Sequence, residues 1–293
     1  MRQTLLLILF TGCLASIAVA QSTISDAPFE LAYSSGPMGV MLPDYEFGSD
    51  VAGDPAFEDD LDNLGAKWEL QAVRRFLGTR TSFEANFIFG WVEANANGSD
   101  QDLEIPNPGT GAIASFAGQP THLESSLFHY GTDAILRDTW RTNWGGLSAG
   151  LGFSYLAFDQ DFELERNGNS FIDEELNSDL VGIKGVLGWD GRWLGRRSTL
   201  DLGFGYYDLD MDYNYSSNQT GLTPDFSRTA NEDAWTFDLD FSTRFCLKGY
   251  DAALKFGALY ISDLPQVIHP VGDQAFINND DGVLITAGLE IRL

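Results

Sequence analysis

The stretch Trp235-Thr236-Phe237-Asp238-Leu239-Asp240-Phe241-Ser242-Thr243-Arg244 decides the fold. Trp235, Phe237, Leu239 and Phe241 alternate with Asp238, Asp240, Ser242 and Arg244. Successive side chains of an extended strand point to opposite faces, so this segment has an aromatic face and a charged face. The next segment repeats the pattern, with Tyr250, Ala252, Leu254, Phe256, Ala258 and Tyr260 set against Asp251, Ala253, Lys255 and Gly257. The C-terminal run does so again, with Val283, Ile285, Ala287, Leu289, Ile291 and Leu293 against Thr286, Gly288, Glu290 and Arg292. An apolar outer wall around a polar interior is what a membrane-spanning β-barrel requires.

Working outward, apolar periodicity recurs at roughly 66–76, 82–93, 123–137, 146–158, 178–189, 198–212, 233–246, 250–262 and 282–293, with a weaker segment at 29–33. Prolines stay out of these segments, as ladder hydrogen bonding demands. The connections alternate in length. Short ones fall at 77–81, 138–145, 190–197 and 247–249, and long ones at 34–65, 94–122, 159–177, 213–232 and 263–281. The expectation is one all-β domain: a closed antiparallel transmembrane barrel of ten strands, with eight or twelve as alternatives. Short turns would face the periplasm and long acidic loops the outside. The tryptophans lie near strand ends, where interfacial girdles belong.

Residues 1–20 read as a secretory signal: Arg2, an apolar core over Leu5 to Phe10, and the small-residue site Ala18-Val19-Ala20. The barrel domain would then occupy 21–293, with an extended first loop at 34–65. Loss of the signal removes Cys13 and leaves Cys246 alone, so no intrachain disulfide is expected. No apolar run is long enough for a helical span. The expected location is the outer membrane of a Gram-negative-type bacterium, with outer-membrane lipid and the barrel-assembly machinery as partners. The formal charge of -26 argues against nucleic acid as a partner.

The aromatic parity, taken as outward, assigns a lumen-lining set: Lys67, Glu69, Glu84, Asp133, Lys184, Asp201, Asp238, Asp240, Arg244, Asp251, Lys255, Glu290 and Arg292. Gln71, Asn86 and His129 share that face, as do Gly150, Gly152, Gly182, Gly188, Gly203 and Gly205. Mixed charges at this spacing fit either a cross-lumen ion-pair network or a charge-lined constriction. Arg74, Arg75, Arg80, Arg137, Arg141, Arg192, Arg196, Arg197 and Lys248 make the short-turn rim basic. Such groups pair with phospholipid headgroups or bias ion movement.

The long connections hold acidic clusters: Asp44 to Asp62, then Asp159, Asp161, Glu163 and Glu165, then Asp173, Glu174 and Glu175, then Asp280 and Asp281. Oxygen-rich loops of this kind hold divalent cations or bridge them to surface polymers. None has the spacing of a calcium hand. Asp208-x-Asp210-x-Asp212-x-Asn214 comes nearest, but it continues an alternating strand. No metal site or cofactor is expected. His122, His129 and His269 lack zinc-like spacing, and no nucleophile elbow or phosphate loop occurs. His122 and Glu124 beside Ser125 and Ser126 are the nearest approach to a catalytic cluster. No enzyme activity is expected.

Several segments resemble a known family. They are Gly65-Ala66-Lys67-Trp68 with Leu77-Gly78-Thr79-Arg80-Thr81-Ser82-Phe83-Glu84-Ala85, Leu151-Gly152-Phe153-Ser154-Tyr155-Leu156, Asn177-Ser178-Asp179-Leu180-Val181-Gly182, and Lys248-Gly249-Tyr250-Asp251-Ala252-Ala253-Leu254. Over about 65–293 the chain resembles the porin-like outer-membrane β-barrel proteins of planctomycetes, related in pattern to the Legionella major outer-membrane protein. Ser154 stands where that family carries a basic residue, and the Phe29–Tyr33 segment lacks its tryptophans. The resemblance implies a barrel class and no residue-level mechanism.

Three functions follow from the pattern. The leading one is passive diffusion of small solutes or ions through a charge-lined lumen. The alternative is a non-conducting barrel that anchors or displays a surface, and an exported soluble β-sandwich adhesion module comes third.

Overall fold

The computed structural model describes residues 29–41, 45–49, 55–59, 63–97, 103–116, 121–219, 221–247 and 250–292. The expected signal segment, Asp44, Asp50, Asp54, Asp60, Asp62 and Lys248 lie outside them.

The strands are β1 (Phe29–Met41), β2 (Tyr45–Ser49), β3 (Pro55–Asp59), β4 (Asn63–Arg75), β5 (Thr81–Asn97), β6 (Leu103–Pro106), β7 (Ile113–Phe116), β8 (Thr121–Thr142), β9 (Gly145–Arg166), β10 (Asn169–Trp193), β11 (Arg196–Ser217), β12 (Asp225–Leu247), β13 (Tyr250–Ile268) and β14 (Phe276–Arg292). Ten of them close an antiparallel ring in the order β1-β14-β13-β12-β11-β10-β9-β8-β5-β4. Pairing of β1 with β14, Tyr33 opposite Ile291, seals it. The remaining four, β3-β2-β6-β7, form a small separate sheet. The short turns and both ends of the ring meet at one pole, the turn end. The other connections meet at the loop end.

The strands run much further toward the loop end than the sequence reading allows. The supposed connection 159–177 is strand on both sides of a two-residue turn, Asn167-Gly168, in which both residues have positive φ. Two positive φ values in a two-residue hairpin are the type I′ signature, whose twist suits the flanking strands. Most of 213–232 and 263–281 is likewise strand. The first loop also contracts, because β1 continues to Met41 and β4 starts at Asn63. Asp159, Asp161, Glu163, Glu165, Asp173, Glu174, Glu175, Asp280 and Asp281 are therefore strand residues rather than loop residues.

The physical reason is an inversion of polarity at constant parity. On β11 the outward positions read Leu202, Phe204, Tyr206 and then Asp208, Asp210, Asp212, all exposed. The inward positions read Asp201, Gly203, Gly205 and then Tyr207, Leu209, Met211, Tyr213, Tyr215, the last five buried. The outer face makes the same switch on other strands, at Trp91/Glu93, Val181/Asp179, Trp235/Asp233 and Val283/Asp281. The inner face switches with it, at His129/Leu127, Ser154/Leu156, Gly182/Leu180 and Thr236/Ala234.

Between the turn end and this ring the barrel is apolar outside and polar inside. Beyond the ring it is polar outside, with one apolar core inside. That core includes Leu123, Leu127, Phe158, Phe162, Leu164, Ile172, Leu176, Leu180, Leu209 and Met211. Each such side chain contributes about 1.5–3 kcal/mol by leaving water.

Candidate functional site

The turn-end half encloses a cavity of about 1410 Å³. Its lining runs from exposed turn residues such as Arg80 and Arg141 up to Met38, Leu156, Tyr207, Leu259 and Leu284. The next inward residues above that ceiling, Phe158, Leu209 and Met211, are packed into the core. The cavity is therefore a well, open between the short turns and closed at the ring.

All thirteen residues of the lumen-lining set stand in its wall. Eight of them, with Arg137 from the basic-rim set, form three groups, each with a cation between two carboxylates. Lys184 lies 3.1 Å from Asp133 and 2.9 Å from Asp238. Lys255 lies 2.5 Å from Glu69 and 3.8 Å from Asp240. Arg137 lies 3.1 Å from Glu84 and 2.6 Å from Asp201. Lys67 joins Glu69 at 3.6 Å.

In each group at least one contact reaches across intervening strands. Lys184 on β10 ties β8 to β12, and Lys255 on β13 ties β12 to β4. Buried carboxylates persist as charges only when paired and hydrogen-bonded. Asp133 meets that condition further, accepting from Ser154 Oγ at 2.6 Å, while Tyr207 donates to Ser154 at 2.8 Å. Nearer the mouth Arg292 donates to Glu290 at 2.7 Å, and Arg244 approaches Asp251 at 3.8 Å.

The inward glycines make this possible. A Cβ on Gly203 would overlap the Asp238 carboxylate, and one on Gly188 would overlap Asp201, Ser148 and Arg137. His129 sits at the ceiling, fully buried, stacked on Phe158 at 4.4 Å with Nδ1 3.1 Å from the Ala157 carbonyl.

The polarity switch carries its own marker on the outer face. Tyr155 on β9 donates to Asp179 on β10 at 2.5 Å. Tyr206 on β11 bonds to Asp233 on β12, and Tyr260 on β13 to Asp281 on β14. In each case the last outward aromatic is tied to the first outward acid. Periodicity alone does not reveal these pairs; an outward Tyr opposite an outward Asp two strand positions further on would have been the signal.

Above the ring, Tyr213, His269 and Glu174 form a polar cluster inside the apolar core. His269 Nε2 lies 3.1 Å from both the Tyr213 hydroxyl and Glu174 Oε1. The sequence reading placed His269 and Glu174 in loops and missed this cluster. Glu174 is a strand residue of β10, whose inward parity becomes visible only once strands are extended through 159–177; His269 stays in a connection, directly after the end of β13.

The loop-end closure is pinned by backbone-rich contacts. Asn107 receives a hydrogen bond from Thr223 at 2.6 Å and donates to the Gly221 carbonyl at 3.3 Å. Ala275 N donates to Pro108 O at 2.8 Å. The β6–β7 finger adds Ile105 to the core.

Other expected clusters do not assemble. His122 and Glu124 pair at 3.5 Å on the outer face, whereas Ser125 is buried on the opposite face. Asp208, Asp210 and Asp212 occupy successive outward positions, and Asn231 donates to Asp210. Among the described residues no three of His, Cys, Asp and Glu converge as metal ligands.

No protein-family model and no curated protein matches the chain. Among solved structures it is similar to the outer membrane protease OmpT of Escherichia coli, at 10% identity and a TM-score of 0.48, over 92% of this chain and 99% of that one. The translocator domain of the autotransporter NalP of Neisseria meningitidis is similar at 11% identity and a TM-score of 0.44, over 97% and 95% of the two chains. OprG of Pseudomonas aeruginosa is similar at 11% identity and a TM-score of 0.36, over 92% and 98%. Likenesses this distant assign no activity. The ring of ten antiparallel strands, from its own pairing, makes this chain a closed all-β barrel.

Proposed function

We propose that the protein is an outer-membrane barrel with a blind lumen. It would carry a rigid, acidic extension at the cell surface and offer a charged well to the periplasm, and would not serve as a diffusion pore. The simultaneous inversion of both faces at one ring carries this reading. Below the ring the outer wall exposes Phe87, Leu151, Phe153, Ile183, Leu187, Phe204, Phe237 and Phe256. A water-soluble sandwich would not leave a belt of that size uncovered.

From Leu147 to Ala157 the belt on β9 covers about 25 Å of barrel axis, at ~3.3 Å per residue and ~40° tilt, which matches a bilayer core. The Tyr–Asp pairs then lie at the headgroup level, with one end apolar and the other wet. Short turns on the periplasmic side put the extension outside.

A pore needs a continuous wet path. The core from Tyr207 to Tyr215 would interrupt it with about 20 Å of close-packed apolar side chains. This favours the non-conducting alternative over passive diffusion. The three cation-centred groups then act as struts holding the barrel round against lateral pressure, and no catalytic role is assigned to them.

Sided labelling tests the proposal. In a Cys246→Ser background, Ser242→Cys should react with a membrane-impermeant maleimide from the turn side only. Met211→Cys should react from neither side. Labelling of Ser242→Cys from the loop side would overturn the blind lumen.

A further inference from the structure

At the mouth of the well three arginines stand at neighbouring inward positions of the wall: Arg197 on β11, Arg244 on β12 and Arg292 on β14, with Ser198 opposite Thr243 and with Arg244 and Glu290 both opposite Ala253. Two are already anchored. Arg197 makes a bidentate pair with Asp190, at 3.1 Å from Nε and 2.6 Å from Nη2. Arg292 uses Nε on Glu290 at 2.7 Å. Both pairs orient their guanidinium planes and leave further N–H donors free to act on a ligand.

Arg244 differs. The nearest acid, Asp251, is 3.8 Å away, beyond hydrogen-bond reach. Its Nε is buried with no hydrogen-bond partner. The charges pressing hardest on it are those of Arg292 and Arg197, ahead of the opposing Asp251 and Asp190. A guanidinium held beside two others, with a buried N–H unbonded and its carboxylate no closer than 3.8 Å, is the least satisfied cation of the mouth. The remaining wall does not remedy this, since Lys184, Lys255 and Arg137 already engage the deeper carboxylates.

We infer that Arg197, Arg244 and Arg292 form an oxyanion site at the turn-end mouth, suited to a tetrahedral phosphate group. A tetrahedral anion has enough oxygens to take donors from three guanidiniums at once, and arginine forks match it bidentately. The group can come from a free phosphate or phosphomonoester entering the well, or from a phospholipid headgroup reaching over the rim. The inference does not depend on whether the lumen conducts. The headgroup source alone rests on the membrane placement proposed above.

The test uses the refolded mature chain in neutral detergent, with heat-modifiable migration as the check on folding. Inorganic phosphate binding is read by phosphorus NMR titration. Retention of phosphatidylglycerol against phosphatidylcholine is read by native mass spectrometry. Arg244→Gln should weaken whichever ligand binds by at least tenfold, Arg244→Lys should weaken it less, and Arg80→Gln, at the rim outside the trio, should leave it unchanged. Phosphate binding without phosphatidylglycerol retention assigns a soluble ligand; retention without free phosphate binding assigns a headgroup. Binding that is equal in wild type and Arg244→Gln, or no binding of either ligand, overturns the site.

Discussion

The same strands build two different barrels. Below the ring of Tyr155, Tyr206 and Tyr260, β8 to β12 place charged, polar or glycine residues inside and aromatic or aliphatic groups outside. Above it the same strands, at unchanged parity, place Leu209, Met211 and Tyr213 inside and Asp208, Asp210 and Asp212 outside. The β11–β12 ladder does not mark the change, pairing without a register shift from Ser198↔Thr243 to Ser216↔Asp225, whereas β13 carries an irregularity between Ile261 and Leu264, just beyond Tyr260. The alternation of a strand fixes which residues share a face, and the hydropathy of each face fixes which medium it meets. In the proposed outer-membrane barrel, one continuous wall serves lipid below and water above.

The contrast can be broken by single substitutions in each half, read as urea unfolding in micelles. Lys184→Met should cost most, about 3–5 kcal/mol, because it leaves Asp133 and Asp238 buried and uncompensated. The triple change with Asp133→Asn and Asp238→Asn should recover most of that loss. A smaller loss from the single substitution would mean that water already screens the lumen. In the upper half Leu209→Ala should cost about 3 kcal/mol through a cavity, since Leu209 is 0% exposed. A loss below about 1 kcal/mol would mean that the core above the ring is loosely packed.

The outer faces should differ as well. Phe237→Lys, in the belt, should cost about 2–3 kcal/mol. Asp212→Lys, above the ring, should stay within about 0.5 kcal/mol. Equal costs would remove the ring as a boundary between media.

Alkaline pH should separate the halves. Burial, reinforced by the Glu174 charge, holds the Tyr213 hydroxyl well above its ordinary value of 10.0. A folded-state value above the unfolded one keeps this stabilisation intact below pH 10 and removes it as pH climbs toward the folded value. Upper-half fluorescence should therefore change first on raising pH, and Tyr213→Phe should abolish the early transition. The smallest effect is a gain. Leu194 closes the β10–β11 turn at φ 49°, a left-handed conformation that Asn tolerates better. Leu194→Asn should stabilise by about 0.5–1 kcal/mol.

Much of the barrel was legible because 198–206 and 233–241 alternate without interruption. The ten-strand ring and the inward parity of Asp238, Asp240 and Lys255 follow directly from that alternation. The extension was not legible for a specific reason. In Asp159-Gln160-Asp161-Phe162-Glu163-Leu164-Glu165 the alternation persists, but with the charge density of a solvated loop. Asn167-Gly168 was the missed signal, since that dipeptide between alternating runs marks a two-residue hairpin. The cross-lumen partners lay beyond reach, because parity says which residues face inward and only the closed ring says which of them meet. The closure of the lumen is likewise a property of facing strands, with Phe158, Leu180 and Leu209 meeting only in three dimensions.

The most direct measurement is single-channel conductance of the folded mature chain in a planar bilayer, with sided protease digestion confirming insertion. The blind-lumen account predicts inserted protein without discrete current steps, across the voltage range the bilayer tolerates. Reproducible steps from protein whose upper half remains folded would contradict it and restore passive diffusion.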